Sequence, residues 1–209
     1  PTGESALVDE YVAKKSLEKY GLKIPKTEKC LLSDALLVSD QIGYPVVLKA
    51  LGSAHKSELG EVFLNLEDQK AVKNALKKIS KKNVIIEKMI GDAVIELLVG
   101  IVHDPAHGML LTIGAGGILT EIVSDTASLL LPSSEVEVLE CFNQLKVSKI
   151  AKGYRGFSGV DVNQIVDAIM KIQEFVLDNR DKVFEIEINP LIVTNSEVIV
   201  ADALIRKVT

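Results

Sequence analysis

The chain is poor in the residues that mark most other kinds of protein. Only two of its 209 residues are cysteine, Cys30 and Cys141. They lie far apart and form no C-x-x-C pair, which removes the common redox and zinc motifs and fits a reducing cytoplasm. Aromatics make up 4% of the chain and the formal net charge is −5. With no basic stripe interleaved with aromatics, a nucleic-acid surface is not expected. The one dense basic cluster, Lys77, Lys78, Lys81 and Lys82, falls at the end of a predicted helix, where cations suit the helix dipole. No apolar run approaches the roughly 18 residues of a membrane span, and no signal peptide is present. Of the three histidines, His103 and His107 flank Asp104-Pro105 in an expected exposed turn, without the further Cys or His a zinc site needs. The Walker pattern, internal repeats and low-complexity linkers are also lacking. The chain opens at Pro1 rather than Met, which suggests trimming or a piece of something longer.

What is present is apolar mass, 47% of the residues, enough for one domain or two small lobes. Periodicity predicts a helix over 4–20, with Leu7, Val8, Tyr11, Val12 and Leu17 on one side and Gly21 as its stop. A strand near 28–32 and a helix from Ser33 to Ile42, capped by Ser33, follow. Then come strands at 46–51 and 61–66 around a polar loop (52–60), a helix over 67–80, and strands at 83–89 and 93–103. The second half reads as strands near 109–113 and 118–123, helices over 134–145 and 161–179, and a hairpin of strands 182–193 and 197–202. Strands mixed with isolated helices indicate an α+β rather than a strictly wound α/β fold. A seam near Met89–Asp92 divides an N-terminal lobe (1–90, with its leading helix) from a C-terminal lobe (91–209).

The most informative stretch is Glu185-Ile186-Glu187-Ile188-Asn189-Pro190-Leu191. Phe184, Ile186 and Ile188 alternate with Glu185, Glu187 and Asn189 at period two, so one face suits a core while the other carries three hard oxygen donors. The proline that follows is expected to stop regular pairing. An edge strand with a polar face and the wall of a Mg²⁺ or phosphate site account for this pattern equally well. Lys49 interrupts an apolar strand and must find an anion, either a structural carboxylate or a phosphate. The loop after it, Gly52-Ser53-Ala54-His55-Lys56-Ser57-Glu58-Leu59-Gly60, has glycines and donors suited to phosphate. At the seam, the backbone around Glu87 could meet a purine edge, with Met89 and Ile90 against its ring. Glu96 and Asp202 are further acids inside apolar strands and need partners. A ribose hydroxyl or a lysine would serve Glu96, and an ion shared with Glu187 and Asn189 would serve Asp202. Gly114-Ala115-Gly116-Gly117 suits close approach to a ligand or a tight turn.

Taken in order, these pieces resemble the ATP-grasp β component of ADP-forming acyl-CoA synthetases. The resemblance is carried by Gly43-Tyr44-Pro45-Val46-Val47-Leu48-Lys49, His55-Lys56-Ser57-Glu58, Glu87-Lys88-Met89, and Glu96 before Val99-Gly100. Gly116-Gly117-Ile118 with Glu121, Gly153-Tyr154-Arg155-Gly156, and Glu187-Ile188-Asn189-Pro190-Leu191 complete it. The similarity runs from about residue 5 to the end.

The resemblance implies two lobes clamping Mg²⁺ with ATP or ADP. It assigns Lys49 to the phosphates, Glu87 to Ile90 to the adenine hinge, Glu96 to the ribose, and Asn189 and Asp202 to the metal; Lys56, in the loop, is placed to balance phosphate charge. His55 matches a histidine that carries the phosphoryl group, and Glu187 an acid facing a phosphohistidine loop. The implied partner is a CoA-binding α subunit or fused domain, expected to lie outside these 209 residues. One departure stands out: Gly60-Glu61-Val62 has Glu where the family usually has a second glycine, and a carboxylate there is expected to weaken ATP binding or re-aim the loop. The rival reading is a regulatory or degenerate ATP-grasp module of a fused protein such as a protein acetyltransferase.

Overall fold

In the computed structural model, residues 1–51, 61–117, 124–154 and 158–209 are described. In chain order the elements are β1 (Ser5–Leu7), α1 (Glu10–Glu18), β2 (Thr27–Leu31), α2 (Ala35–Ile42), β3 (Val46–Ala50), β4 (Val62–Leu66), α3 (Gln69–Leu76), β5 (Asn83–Lys88) and β6 (Ile95–Asp104). There follow β7 (Gly108–Ala115), β8 (Thr126–Leu130), α4 (Glu135–Asn143), α5 (Val147–Ala151), α6 (Val162–Asp178), β9 (Val183–Val193), β10 (Val198–Val200) and β11 (Ala203–Val208). The chain divides into two units. One holds Asp9–Tyr11 and Ile24–Gly91; the other holds Pro1–Val8, Val12–Lys23 and Asp92–Thr209.

The unit containing Ile24–Gly91 is built on an antiparallel sheet in the order β2-β5-β3-β4. Val46, Leu48 and Ala50 of β3 and Val84 and Ile86 of β5 join Ala35 and Ile42 of α2 and Val72 and Ala75 of α3 in one core. Period two then sends Val47 and Lys49, with Ile85 and Glu87, to the opposite face. All five residues of β3 are buried, so Lys49 is enclosed on that second face. Asp68 caps α3 by accepting from the Ala71 N–H at 2.7 Å. Ser33 does not cap α2 as expected. A short 3₁₀ turn over Leu32–Asp34 precedes the helix, and the Ser33 hydroxyl donates to Asp34 instead.

The other unit is built on a larger sheet in the order β1-β11-β9-β6-β7-β8, with β10 also pairing β9. The adjacent pairs are antiparallel. One face is core: Leu97, Val99 and Ile101 of β6, Leu111 and Ile113 of β7, Ile186 and Ile188 of β9, and Ile205 of β11 are buried, with α4, α5 and α6 packed on this sheet. Caps fix two of these helices. Ser134 and Glu137 form a reciprocal capping box on α4, and Asp161 accepts from Asn163 N–H on α6. The opposite face carries Glu96, Gly100, Thr112, Glu185, Glu187, Asn189 and Arg206, all part-exposed.

The leading segment differs from the expected single helix over 4–20. Ser5–Leu7 is a strand whose Leu7 pairs with Arg206, and the helix begins only at Glu10. Val12 is 48% exposed, and the residues α1 buries completely are Ala13, Lys14 and Leu17. β8, α5 and β11 were not expected, and the strand expected over 118–123 lies outside the described residues. No helix among the described residues is long and apolar enough to cross a membrane.

Candidate functional site

The first constellation lies on the second face of the smaller sheet. Antiparallel pairing sets Val47 opposite Glu87 and Lys49 opposite Ile85, while Thr27 of β2 lies opposite Glu87 on its other side. Lys49 Nζ is 2.8 Å from Glu10 Oε1 and 3.1 Å from Glu87 Oε2. Thr27 Oγ1 donates to Glu87 Oε1 at 2.7 Å. These four residues are at most 5% exposed. Desolvating an ammonium and two carboxylates costs several kcal/mol per ion, and only mutual pairing of this quality offsets it.

The Glu87 carboxylate is engaged by Lys49 and Thr27, so the backbone is what the 87–90 segment leaves for a ligand. Lys88 N–H donates to Lys26 O and Met89 N–H to Pro45 O. Among the described residues, Ile90 supplies the first amide of the segment with no internal acceptor. The Lys88 ammonium fixes the turn below by donating to the Gly43 and Tyr44 carbonyls.

The second constellation lies on the open face of the larger sheet. β9 keeps β6 beside it along its length, with a register shift where Leu97 lies opposite Leu191 but Val99 opposite Ile188. On its other side β9 changes partner, from Ala203 opposite Ile188 in β11 to Val200 opposite Leu191 in β10. One register joins these pairs, and it places Asp202 opposite Asn189. Pro190 therefore does not end the strand as expected; its carbonyl accepts from Ala201 N–H at 3.1 Å.

Asn189 Oδ1 accepts from Gly117 N–H at 2.9 Å, and its second lone pair can still serve a cation. Asp202 accepts from Ala203 N–H at 2.8 Å through one oxygen. Gly116 donates to Glu96 O at 2.8 Å. Gly117 has φ +61°, and a Cβ there would collide with the Glu96 carboxylate; at Gly116 it would fall 2.6 Å from the Leu97 carbonyl oxygen. The two glycines thus bring Glu96 and Asn189 to one turn. Glu187 lies two residues before Asn189 on the same face, between Gly100 and Leu204. Glu185 differs from its strand neighbours: its carboxylate pairs with Arg206 at 3.2 Å.

An amide and a carboxylate are hard oxygen donors suited to Mg²⁺. Among the described residues no group of three His, Cys, Asp or Glu gathers as a metal site. A Mg²⁺ here would take its remaining ligands from phosphate and water, as that ion commonly does. His55, Lys56 and Glu121 lie outside the described residues. His107 Nδ1 sits 2.9 Å from Asp104 Oδ1 in an exposed turn. Burial, with Asp34 and Glu28 nearby, pushes the Cys30 thiol up to about 11, and burial also raises Cys141, so neither is poised as a thiolate nucleophile.

Sequence reasoning missed Glu10 and Thr27. Glu10 reads as an ordinary first-turn acid favoured by the helix dipole, and Thr27 as an ordinary strand residue.

The chain matches the model of a family described as an ATP-grasp domain over residues 2–206. It is 31% identical over 205 residues to the β subunit of acetate–CoA ligase (ADP-forming) II of Pyrococcus furiosus, covering 91% of this chain and 86% of that subunit. It is 32% identical over 209 residues to acetate–CoA ligase (ADP-forming) II of Archaeoglobus fulgidus, covering 95% of this chain but only 30% of that longer protein. Among solved structures, it resembles the dinucleotide-forming acetyl-coenzyme A synthetase 1 of Candidatus Korarchaeum cryptofilum in complex with coenzyme A and Ca-AMPCP. That match has a TM-score of 0.86 at 27% identity and covers 95% of this chain and 92% of the other. A second structure of that synthetase, with Mg-AMPPCP and its phosphohistidine segment pointing towards the nucleotide site, matches with a TM-score of 0.81 at 30% identity, covering 94% and 90%. With the described fold and the family match over nearly its whole length, the chain belongs to the ATP-grasp family, as a homologue of the β subunits of ADP-forming acetate–CoA ligases.

Proposed function

We propose that this chain is the nucleotide-binding, phosphoryl-transferring component of an ADP-forming acyl-CoA synthetase. The reversible overall reaction joins a carboxylic acid, ATP and CoA to give acyl-CoA, ADP and phosphate. The observation that carries this reading is the placement of Asp202 opposite Asn189 on the open sheet face, beside Glu187. In this reading Lys49 and Lys56 attract the phosphates, Ile90 N–H meets the adenine edge, and Glu96 takes the ribose. Asn189 and Asp202 hold Mg²⁺, which when bound neutralises phosphate charge. The neutral imidazole of His55 attacks the γ-phosphorus and the bond to the β-bridging oxygen breaks, releasing ADP and leaving phosphohistidine. Glu187 orients or stabilises that imidazole. The phosphoryl group then passes to a CoA-binding component. The relatives support either a separate subunit or a fused domain as its source, since one is a β subunit of similar length and another a protein about three times as long.

The test incubates the chain with γ-labelled ATP, Mg²⁺ and its CoA-binding component, then assays acid-labile phosphate on the chain. Label is expected on the wild type and absent from His55→Ala. If His55→Ala keeps both the label and the coupled synthetase rate, the phosphoryl group passes without His55. Asp202→Asn preserves shape and removes charge, so it is expected to weaken Mg-nucleotide more than metal-free nucleotide in calorimetry. Equal losses would assign Asp202 a structural role only.

A further inference from the structure

Lys49 is the residue on which phosphate binding rests in the reading above, yet its ammonium does not stand alone. Glu10, from the first turn of α1, reaches it at 2.8 Å, closer than the 3.1 Å of Glu87. We propose that Glu10 is a positioning residue for the nucleotide phosphates, acting through Lys49. The proposal rests on the reading of Lys49 as a phosphate ligand.

An ammonium carries three N–H donors on a four-carbon stem with many rotamers. Each carboxylate bound to the ammonium removes part of that freedom. Glu87 is itself fixed, because Thr27 Oγ1 holds its other oxygen at 2.7 Å. Glu10 adds a second acceptor from a different element, and two carboxylates on different elements restrict the ammonium more than one does. The charged groups on Lys49 include Glu10 from α1 and Glu87 from β5, with Thr27 of β2 behind Glu87. Glu10 is also 5% exposed. A first-turn acid gains its helix-dipole benefit equally well at the surface, so burying this one is a cost that the dipole does not require.

The consequence separates ligands by their phosphates. Adenosine needs the backbone at Ile90 but not Lys49, whereas Mg-ADP needs both. Calorimetry on wild type, Glu10→Gln and Lys49→Gln, each with adenosine and with Mg-ADP, tests this. Glu10→Gln is expected to weaken Mg-ADP about tenfold, equivalent to about 1.4 kcal/mol, while adenosine changes less than about twofold. Equal losses for the two ligands would make Glu10 a structural residue and overturn the proposal. Tighter or unchanged Mg-ADP would overturn it too, by showing that Glu10 competes with phosphate or does nothing for it. If Glu10→Gln does not fold, Glu10→Asp, which keeps the charge but withdraws it by one methylene, is expected to shift Mg-ADP in the same direction and leave adenosine in place. Failure of the underlying reading looks different: Lys49→Gln would then leave Mg-ADP affinity unchanged.

Discussion

Replacing Lys49 with Met is expected to lower the unfolding free energy by about 3–5 kcal/mol, the usual cost of removing one partner from a buried ion cluster. Glu10 and Glu87, 5% and 2% exposed, would lose the ammonium they share. Adding Glu10→Gln to Lys49→Met should recover part of the loss, since it removes one of the two carboxylates that shared the ammonium. The two substitutions should therefore couple rather than add. Urea unfolding of the two single variants and the double variant measures both quantities. A loss under about 1 kcal/mol for Lys49→Met would mean water reaches the cluster, since exposed ion pairs contribute no more than that.

Gly116→Ala should also be costly, for a steric reason. The added Cβ falls 2.6 Å from the Leu97 carbonyl oxygen, and Leu97 is held in β6 opposite both Ala115 and Leu191. Backbone in the middle of a ladder cannot yield, so a cost of about 3 kcal/mol is expected, at the upper end for overpacking. Gly117→Ala should be milder, about 1–2 kcal/mol, because its obstacle is the movable end of the Glu96 side chain, which leaves chiefly the strain of a positive φ. Both should weaken Mg-nucleotide, since both disturb the Gly117 N–H that holds Asn189. Thermal melts that rank Gly117→Ala as the worse variant would contradict the described turn.

Much of the site was legible in sequence because its residues break a pattern. Lys49 interrupts an apolar strand, and the structure shows it buried against carboxylates, one of the partners weighed for it. Ile186 and Ile188 alternate with Glu187 and Asn189, and the structure buries the first pair and leaves the second on the open face. Helices expected over 134–145 and 161–179 appear as α4 and α6, which begin one residue later because Ser134 and Asp161 cap them.

What the sequence concealed depends on distant partners. Ser5–Leu7 is a strand because β11, almost two hundred residues later, offers it an edge; local periodicity merged it with the helix that follows. Glu10 looks like a dipole-favoured surface acid until the fold brings Lys49 to it. Pro190 reads as a stop, yet the strand continues because a proline carbonyl still accepts and the neighbouring strand supplies Ala201 N–H. The side-chain direction of Glu87 was likewise invisible, since it follows from Thr27 and Lys49 lying across two different strand pairs.

The most direct measurement is a calorimetric titration of the isolated chain with Mg-ADP and Mg-ATP, paired with a CoA-thioester assay on the same preparation. Saturable nucleotide binding that weakens when Mg²⁺ is withdrawn, together with no acyl-CoA formed by the chain alone, is the expected result. No binding at millimolar nucleotide, or robust acyl-CoA synthesis without a CoA-binding component, would contradict it.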